Sequence, residues 1–209
     1  MTAAVAVENE EMAAFLWSIG VKDCKNLSDE QVLMIADQIK RLGSQNYCVT
    51  PLIPETYNEQ YKQHMNLNTL LARMHASTIE SLLVEKFGRN MFNAAMQAVP
   101  ANITVLVDQF SANEDTLKDN MLPMGSRTKL VQRTKAESNV AVAAASILAR
   151  AEYLRQLNKL SETYNIALPK GATDVVPAAQ TFVNEYSGDE LGKVAKLHFK
   201  TTIQVVLSH

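Results

Sequence analysis

The chain has 209 residues, 47% hydrophobic and 20% charged, enough for the core of one domain or two small ones. Seven Gly and six Pro exclude a collagen-like or low-complexity chain, and two Cys are too few for a disulfide framework or a zinc site. The formal net charge of −2 excludes a globally basic nucleic-acid binder but leaves room for a local basic patch.

Residues 2–7 (TAAVAV) predict a short buried strand. The chain enters it without a polar lead-in, which predicts a truncation. Met1 to Val7 lacks the basic start and long apolar core of a signal peptide, and Glu8, Glu10 and Glu11 follow at once. Met12, Phe15, Leu16 and Ile19 predict a helix over 9–19 that Gly20 stops. Ser28 and Gln31 form a capping box for a helix running through Leu33, Ile35, Ile39 and Leu42 to Gly43. Residues 46–53 predict a strand whose end Pro51 restricts to an edge. A long amphipathic helix follows over 66–87, ended by Gly88, and then a helical stretch over 90–98. Residues 103–107 (ITVLV), apolar throughout, predict a strand buried on both faces. Residues 128–134 alternate, like a strand with one exposed face. A helix over 138–164 is Ala-rich at its start and charged later. Its apolar run, Val140 to Ala149, is ten residues, whereas a membrane span needs about 20. A turn at Pro169-Lys170-Gly171, helices over 175–186 and 188–197, and an apolar stretch at 202–207 complete the chain. This order predicts one α/β domain, 1–209, with a mixed sheet.

Asp108 ends the apolar strand, and ligands bind open α/β sheets at the carboxyl ends of strands. It can hold a divalent metal there, or merely cap the segment that starts at Ser111. Glu137 lies between a strand and the Ala-rich helix, where the helix dipole alone would favour a carboxylate. If the two meet at one sheet end, a divalent cation would relieve their repulsion. Segment 125–170 holds eight Lys and Arg against three Glu, a local net of +5 within a chain of −2. It suits a phosphate backbone, or equally a solvated helix face. The four His have no metal spacing, His75 reads as packing, and Cys48 reads as a core strand residue.

Thr134-Lys135-Ala136-Glu137, followed by the run Val140 to Arg150, resembles the core motif of type 3 ribonuclease H, ribonuclease HIII. So do Val107-Asp108-Gln109-Phe110, Gly20 to Lys25, Asn68 to His75, Leu168 to Ala172 and Ala195 to Lys200. These blocks keep the family's order over nearly the whole chain. The resemblance implies an α/β, ribonuclease H-like mixed sheet flanked by helices. It also implies an endonuclease that cuts the RNA strand of RNA/DNA hybrids by two-metal hydrolysis with Mg2+ or Mn2+. The lack of a targeting or spanning segment predicts a soluble, cytoplasmic protein with no membrane partner, and a monomer is expected. Asp108 and Glu137 match the third and fourth of the family's four metal-binding, catalytic acids. Asp23, Lys25, Lys135, Ser146, Arg150, Lys170 and His198 match substrate-binding positions. Cys24 stands where the family usually has Ser, which puts a hydroxyl contact to phosphate in doubt. Met1 aligns with the family's second strand. The first strand with its Asp-Glu pair, the Gly-rich turn after it and the small N-terminal substrate-binding domain therefore have no counterpart here. Catalysis is expected to be impaired, with nucleic-acid or partner binding without cleavage as the alternative. Loss of that strand would expose unpaired backbone groups and core on its neighbours, so the chain is expected to be marginally stable or to recruit another strand.

Overall fold

In a computed structural model of the protein, residues 1–64, 66–88, 100, 102–171 and 173–207 are described. The helical stretch expected over 90–98 lies outside them. The chain forms two compact units, Met1–Pro51 with Asn66–Glu152, and Leu52–Met65 with Tyr153–His209.

The first unit opens with strand β1 (Thr2–Val5) and helix α1 (Glu10–Ser18), which Asn9 caps by accepting from the Met12 N–H. Gly20, at φ +89°, turns the chain out of that helix in a conformation that a side chain would disfavour. Helix α2 (Asp29–Ile39) starts on the expected capping box: Ser28 and Gln31 each accept the other's backbone N–H. Its Val32, Ile35, Ala36 and Ile39 are buried. Strand β2 (Tyr47–Thr50) ends before Pro51, which has no N–H for a ladder. It pairs antiparallel with β1, Thr2 opposite Thr50. Helix α4 (Leu67–Leu83) lies against this pair. The Thr78 hydroxyl sits 2.7 Å from that of Thr2 and 2.8 Å from that of Thr50. These buried hydroxyls satisfy one another and so lock the helix to the strands.

Strand β3 (Thr104–Asp108) pairs parallel with β4 (Lys129–Arg133), Asp108 opposite Arg133. Between them is a one-turn helix, α5 (Asp115–Lys118), whose Leu117 is fully buried. Val107 and Leu117 pack with Ala72, Ala76, Ile79 and Leu83 of α4 into one apolar cluster. Helix α6 (Val140–Thr163) buries Ile147 and Leu148 together with Ala143, Ala144 and Ala151, whose small side chains permit close approach of its neighbours. The mixed character of the sheet is present as one antiparallel and one parallel pair. Burial on both faces is not reached along β3: Val107 alone of its five residues is buried. Thr104 to Val107 line an open groove instead.

The second unit holds α3 (Pro54–His64), α7 (Val175–Tyr186) and α8 (Lys200–Leu207). Its core is Ile166, Phe182, Val183, Leu191 and Val205. Helix α3 is absent from the sequence reading because its sequence, PETYNEQYKQH, shows no apolar period. The helix expected over 188–197 is instead a short 3-10 turn, Asp189–Lys193, followed by irregular chain. Asn58 explains this. Its amide donates to the carbonyls of Gly192 (2.9 Å) and Ala195 (2.8 Å), and its carbonyl accepts from the Leu197 N–H (2.9 Å). Those backbone groups are held by a side chain rather than by helical partners. The apolar stretch at 202–207 belongs to α8.

Candidate functional site

Lys135 adopts a left-handed backbone, φ 56°, directly after β4. For a residue with a side chain this costs on the order of 1 kcal/mol. The kink swings the chain into a 3-10 turn, Ala136–Ser138, before α6 begins. It also aims the Ala136 N–H at the end of β3, where the Asp108 carboxylate accepts it at 3.0 Å. Asp108 and Glu137 are thereby brought to one end of the parallel pair. The backbone that Asp108 caps is this turn, not the expected segment that starts at Ser111.

Glu137 is held from the other side. Its Oε1 lies 3.8 Å from the Lys25 ammonium, while its Oε2 is buried without a hydrogen-bond partner. A buried carboxylate oxygen left unpaired is costly unless something positive meets it. Lys25 sits in the turn after α1. Asp23 shapes that turn by accepting the Lys25 N–H at 3.0 Å, so part of its carboxylate serves the backbone. Cys24 takes the place of a hydroxyl facing α6: the Ser146 hydroxyl donates to its Sγ at 2.9 Å. Arg150 donates to the Cys24 carbonyl at 2.5 Å and to the Asp29 carboxylate at 2.9 Å. Asp23, Lys25, Lys135, Glu137, Asp108, Ser146 and Arg150 thus belong to one constellation in the first unit.

Arg150 and Ser146 meet protein partners, so they position the Cys24 turn against α6. Arg150→Met keeps the length and removes the charge, and should cost about 1–2 kcal/mol, since the Asp29 pair is only partly shielded from water. Urea unfolding checks this; a loss below a few tenths of a kcal/mol would show that the turn stands without Arg150.

Lys170 and His198 belong to the second unit. The Lys170 carbonyl accepts from the Tyr153 hydroxyl at 2.8 Å. His198 stacks on Tyr61 at 4.3 Å, and Lys196 sits over the Tyr57 ring at 4.4 Å. Burial, and then the Lys196 charge, hold the His198 imidazole below its usual value. Tyr57 and Tyr61 were not foreseen, since helix α3 and the 196–199 turn are far apart in sequence.

His75 packs, as expected: it stacks on Phe110 with centroids 5.2 Å apart. Burial lowers its pKa from 6.5 to about 4. The unfolded chain therefore takes up a proton below pH 6.5 that the folded chain refuses. The contribution is whole above 6.5 and is lost as pH falls toward 4, reaching about 2 kcal/mol by pH 5. Urea midpoints for the native chain and His75→Gln at pH 7 and pH 5 should show a shallower pH dependence in the variant.

The donor set at Asp108 and Glu137 is all oxygen, which suits Mg2+ or Mn2+, and the orphaned Glu137 Oε2 fits a cation. Among the described residues, no group of three or more His, Cys, Asp or Glu could hold a metal ion. No described helix is long and apolar enough to cross a membrane.

The ribonuclease HII family model matches residues 1–202. Ribonuclease HIII of Chlamydia pneumoniae is 38% identical over 203 residues, spanning 95% of this chain and 62% of that protein. Ribonuclease HIII of Protochlamydia amoebophila is 37% identical over 187 residues, 89% and 56% of the two chains. The crystal structure of Bst-RNase HIII in complex with Mn2+ superposes with a TM-score of 0.79 at 30% identity, over 99% of this chain and 63% of the other. The ribonuclease H2 of Pyrococcus horikoshii, 19% identical with a TM-score of 0.69, shares the fold over 99% of this chain and 93% of its own. The chain spans less than two thirds of the length of the ribonucleases HIII it matches.

Proposed function

This chain belongs to the ribonuclease HII family, and from that premise we propose that it is a metal-dependent endonuclease acting on the RNA strand of RNA/DNA hybrids. In this reading residues 1–209 carry a ribonuclease H-like catalytic domain, and the protein works as a cytoplasmic monomer. One observation supports it: the Asp108 carboxylate at the end of β3 holds the backbone of the turn that carries Glu137, whose buried Oε2 has no hydrogen-bond partner.

Asp108 and Glu137 would hold Mg2+ or Mn2+. The bound cation would supply charge stabilisation at the phosphate and a more acidic water. The chain's own residues do the rest. Lys135 is exposed on its left-handed turn, two residues before Glu137, and can hold a phosphate of the substrate backbone. Lys25 leaves most of its ammonium exposed, so it can bridge Glu137 and a phosphate. Asp23, Ser146 and Arg150 fix the turn that presents Lys25. Lys170 and His198 are assigned to substrate contacts in the second unit.

A second reading has an observation of its own. Among the described residues no group of three or more His, Cys, Asp or Glu could hold a metal ion, so Asp108 and Glu137 have no third acid beside them to complete a metal site. Such a chain can bind a hybrid without cutting it. A labelled RNA/DNA hybrid, with Mg2+, Mn2+ or a chelator, separates the two. Cleavage of the RNA strand that the chelator stops supports the enzyme. Salt-sensitive binding without cleavage supports the second reading, and neither binding nor cleavage removes both.

A further inference from the structure

In the second unit, helix α3 and the 196–199 turn bring four rings together. Tyr57 and Tyr61, about one helical turn apart, lie 5.9 Å from each other and within 12° of parallel. His198 stacks on Tyr61 at 4.3 Å and 25°, and Phe199 meets His198 at 4.2 Å and 35°. Two rings this near and this close to parallel cannot share one face of an imidazole. Tyr61 therefore covers one face of His198, and Phe199 the other. The Tyr57 hydroxyl, 3.4 Å from His198 Nδ1, occupies part of the ring's edge. The column ends at Phe199, which keeps 49% of its surface exposed although His198 backs it.

The surround is positive. Lys196 holds its ammonium over the Tyr57 ring, 4.4 Å from the centroid, and the exposed Lys200 follows Phe199 directly. Residues 195–200 carry two Lys and no acid. A flat apolar face with cations at its rim suits a flat π-system that carries negative charge, and the same cations repel a positive ligand. A nucleotide has both parts, a base to stack and a phosphate to pair. That base must be unpaired. Inside a duplex its faces are covered by neighbouring bases, so a ring on a protein surface reaches a base face only where the base is unstacked.

We propose that Phe199, backed by His198 and Tyr61, is a stacking site for an unpaired nucleotide of single-stranded nucleic acid, with Lys196 and Lys200 as its phosphate contacts. The site reads neither base nor sugar, because every base offers a π-face. The choice of a nucleic acid as ligand rests on the hybrid-binding reading above. With both its faces covered, His198 leaves the stacking to Phe199 and acts as the support that holds this ring in place.

The probe is a fluorescein-labelled oligothymidylate of about twelve nucleotides, titrated with the 209-residue chain in chelator at low salt and read by anisotropy. Phe199→Leu removes the π-face and keeps an apolar side chain. It should weaken binding by about tenfold, and Phe199→Trp should keep it or tighten it. An abasic oligomer of the same length keeps the phosphates without the bases. It should bind the native chain about tenfold more weakly than oligothymidylate, and Phe199→Leu should weaken it no further. Lys200→Gln should weaken both and flatten the salt dependence. Oligouridylate should bind within about fivefold of oligothymidylate, since stacking ignores the sugar. Circular dichroism checks the fold of each variant. No binding, equal binding by Phe199→Leu, equal binding of the abasic oligomer, or a wider gap between the two sugars would overturn the proposal. A blunt RNA/DNA hybrid keeps its failure apart from that of the nuclease reading. Cleavage of that hybrid by a chain that ignores oligothymidylate would overturn the stacking site alone, and Phe199-dependent oligothymidylate binding without cleavage would uphold it alone.

Discussion

On the proposed nuclease reading, Asp108→Asn is expected to lower metal-dependent cleavage of an RNA/DNA hybrid by at least about 10²-fold while leaving the fold intact. The two effects separate because the two jobs of Asp108 need different things. Its bond to the Ala136 N–H needs only a carbonyl-type oxygen, which Asn retains. Holding a divalent cation needs the negative charge, which Asn lacks. Glu137→Gln sharpens the test. The native Glu137 Oε2 is buried without a partner, so neutralising this group should leave the protein as stable or more stable while cleavage is lost. Initial rates on a labelled hybrid, with melting curves for the same samples, decide the matter. Cleavage within about threefold of the native rate would remove both residues from the site, and a large drop in melting temperature would assign them to structure instead.

Where local chemistry settles an element, the sequence could be read directly. Asn9 and Gly20 bound α1, the Ser28–Gln31 box starts α2, and α7 falls on the expected 175–186. Long-range contacts settle the rest and leave little local trace. Helix α3 has no apolar period, yet Tyr57 and Asn58 bury against a turn more than a hundred residues away. The same Asn58 removes the helix expected over 188–197 by taking its backbone partners. Residues 103–107 looked buried on both faces because their composition is that of a central strand. In the structure one edge of β3 opens on a groove, so the composition reports the position of the strand better than its exposure. The site shows the same division. Asp108 and Glu137 could be named from motif and strand end, but neither the left-handed Lys135 nor the unpartnered Glu137 oxygen has a signature in the residues alone.

The largest loss of stability is expected at Phe182→Ala, at about 3–5 kcal/mol. Phe182 is fully buried, and its ring meets Tyr164 edge-on at 5.0 Å and Tyr186 at 5.1 Å. Truncation removes the transfer term, leaves a cavity among Ile166, Val183, Leu191 and Val205, and breaks both ring pairs. The cavity should not collapse easily, because the Tyr186 hydroxyl is tied to the Tyr164 carbonyl at 2.9 Å and holds the surrounding rings in place. A loss of this size is a large share of the 5–15 kcal/mol that stabilises a typical domain, roughly enough to expose the variant to unfolding at physiological temperature. The residue distribution supplies a local probe. Five of the six tyrosines lie in the second unit, whereas the single tryptophan, Trp17, lies in the first. Urea unfolding followed in the near-ultraviolet tyrosine band should shift strongly toward lower denaturant for Phe182→Ala and only part of the way for Phe182→Leu, which refills most of the space. A shift of under about 1 kcal/mol for the alanine variant would mean that the second unit is not organised around Phe182.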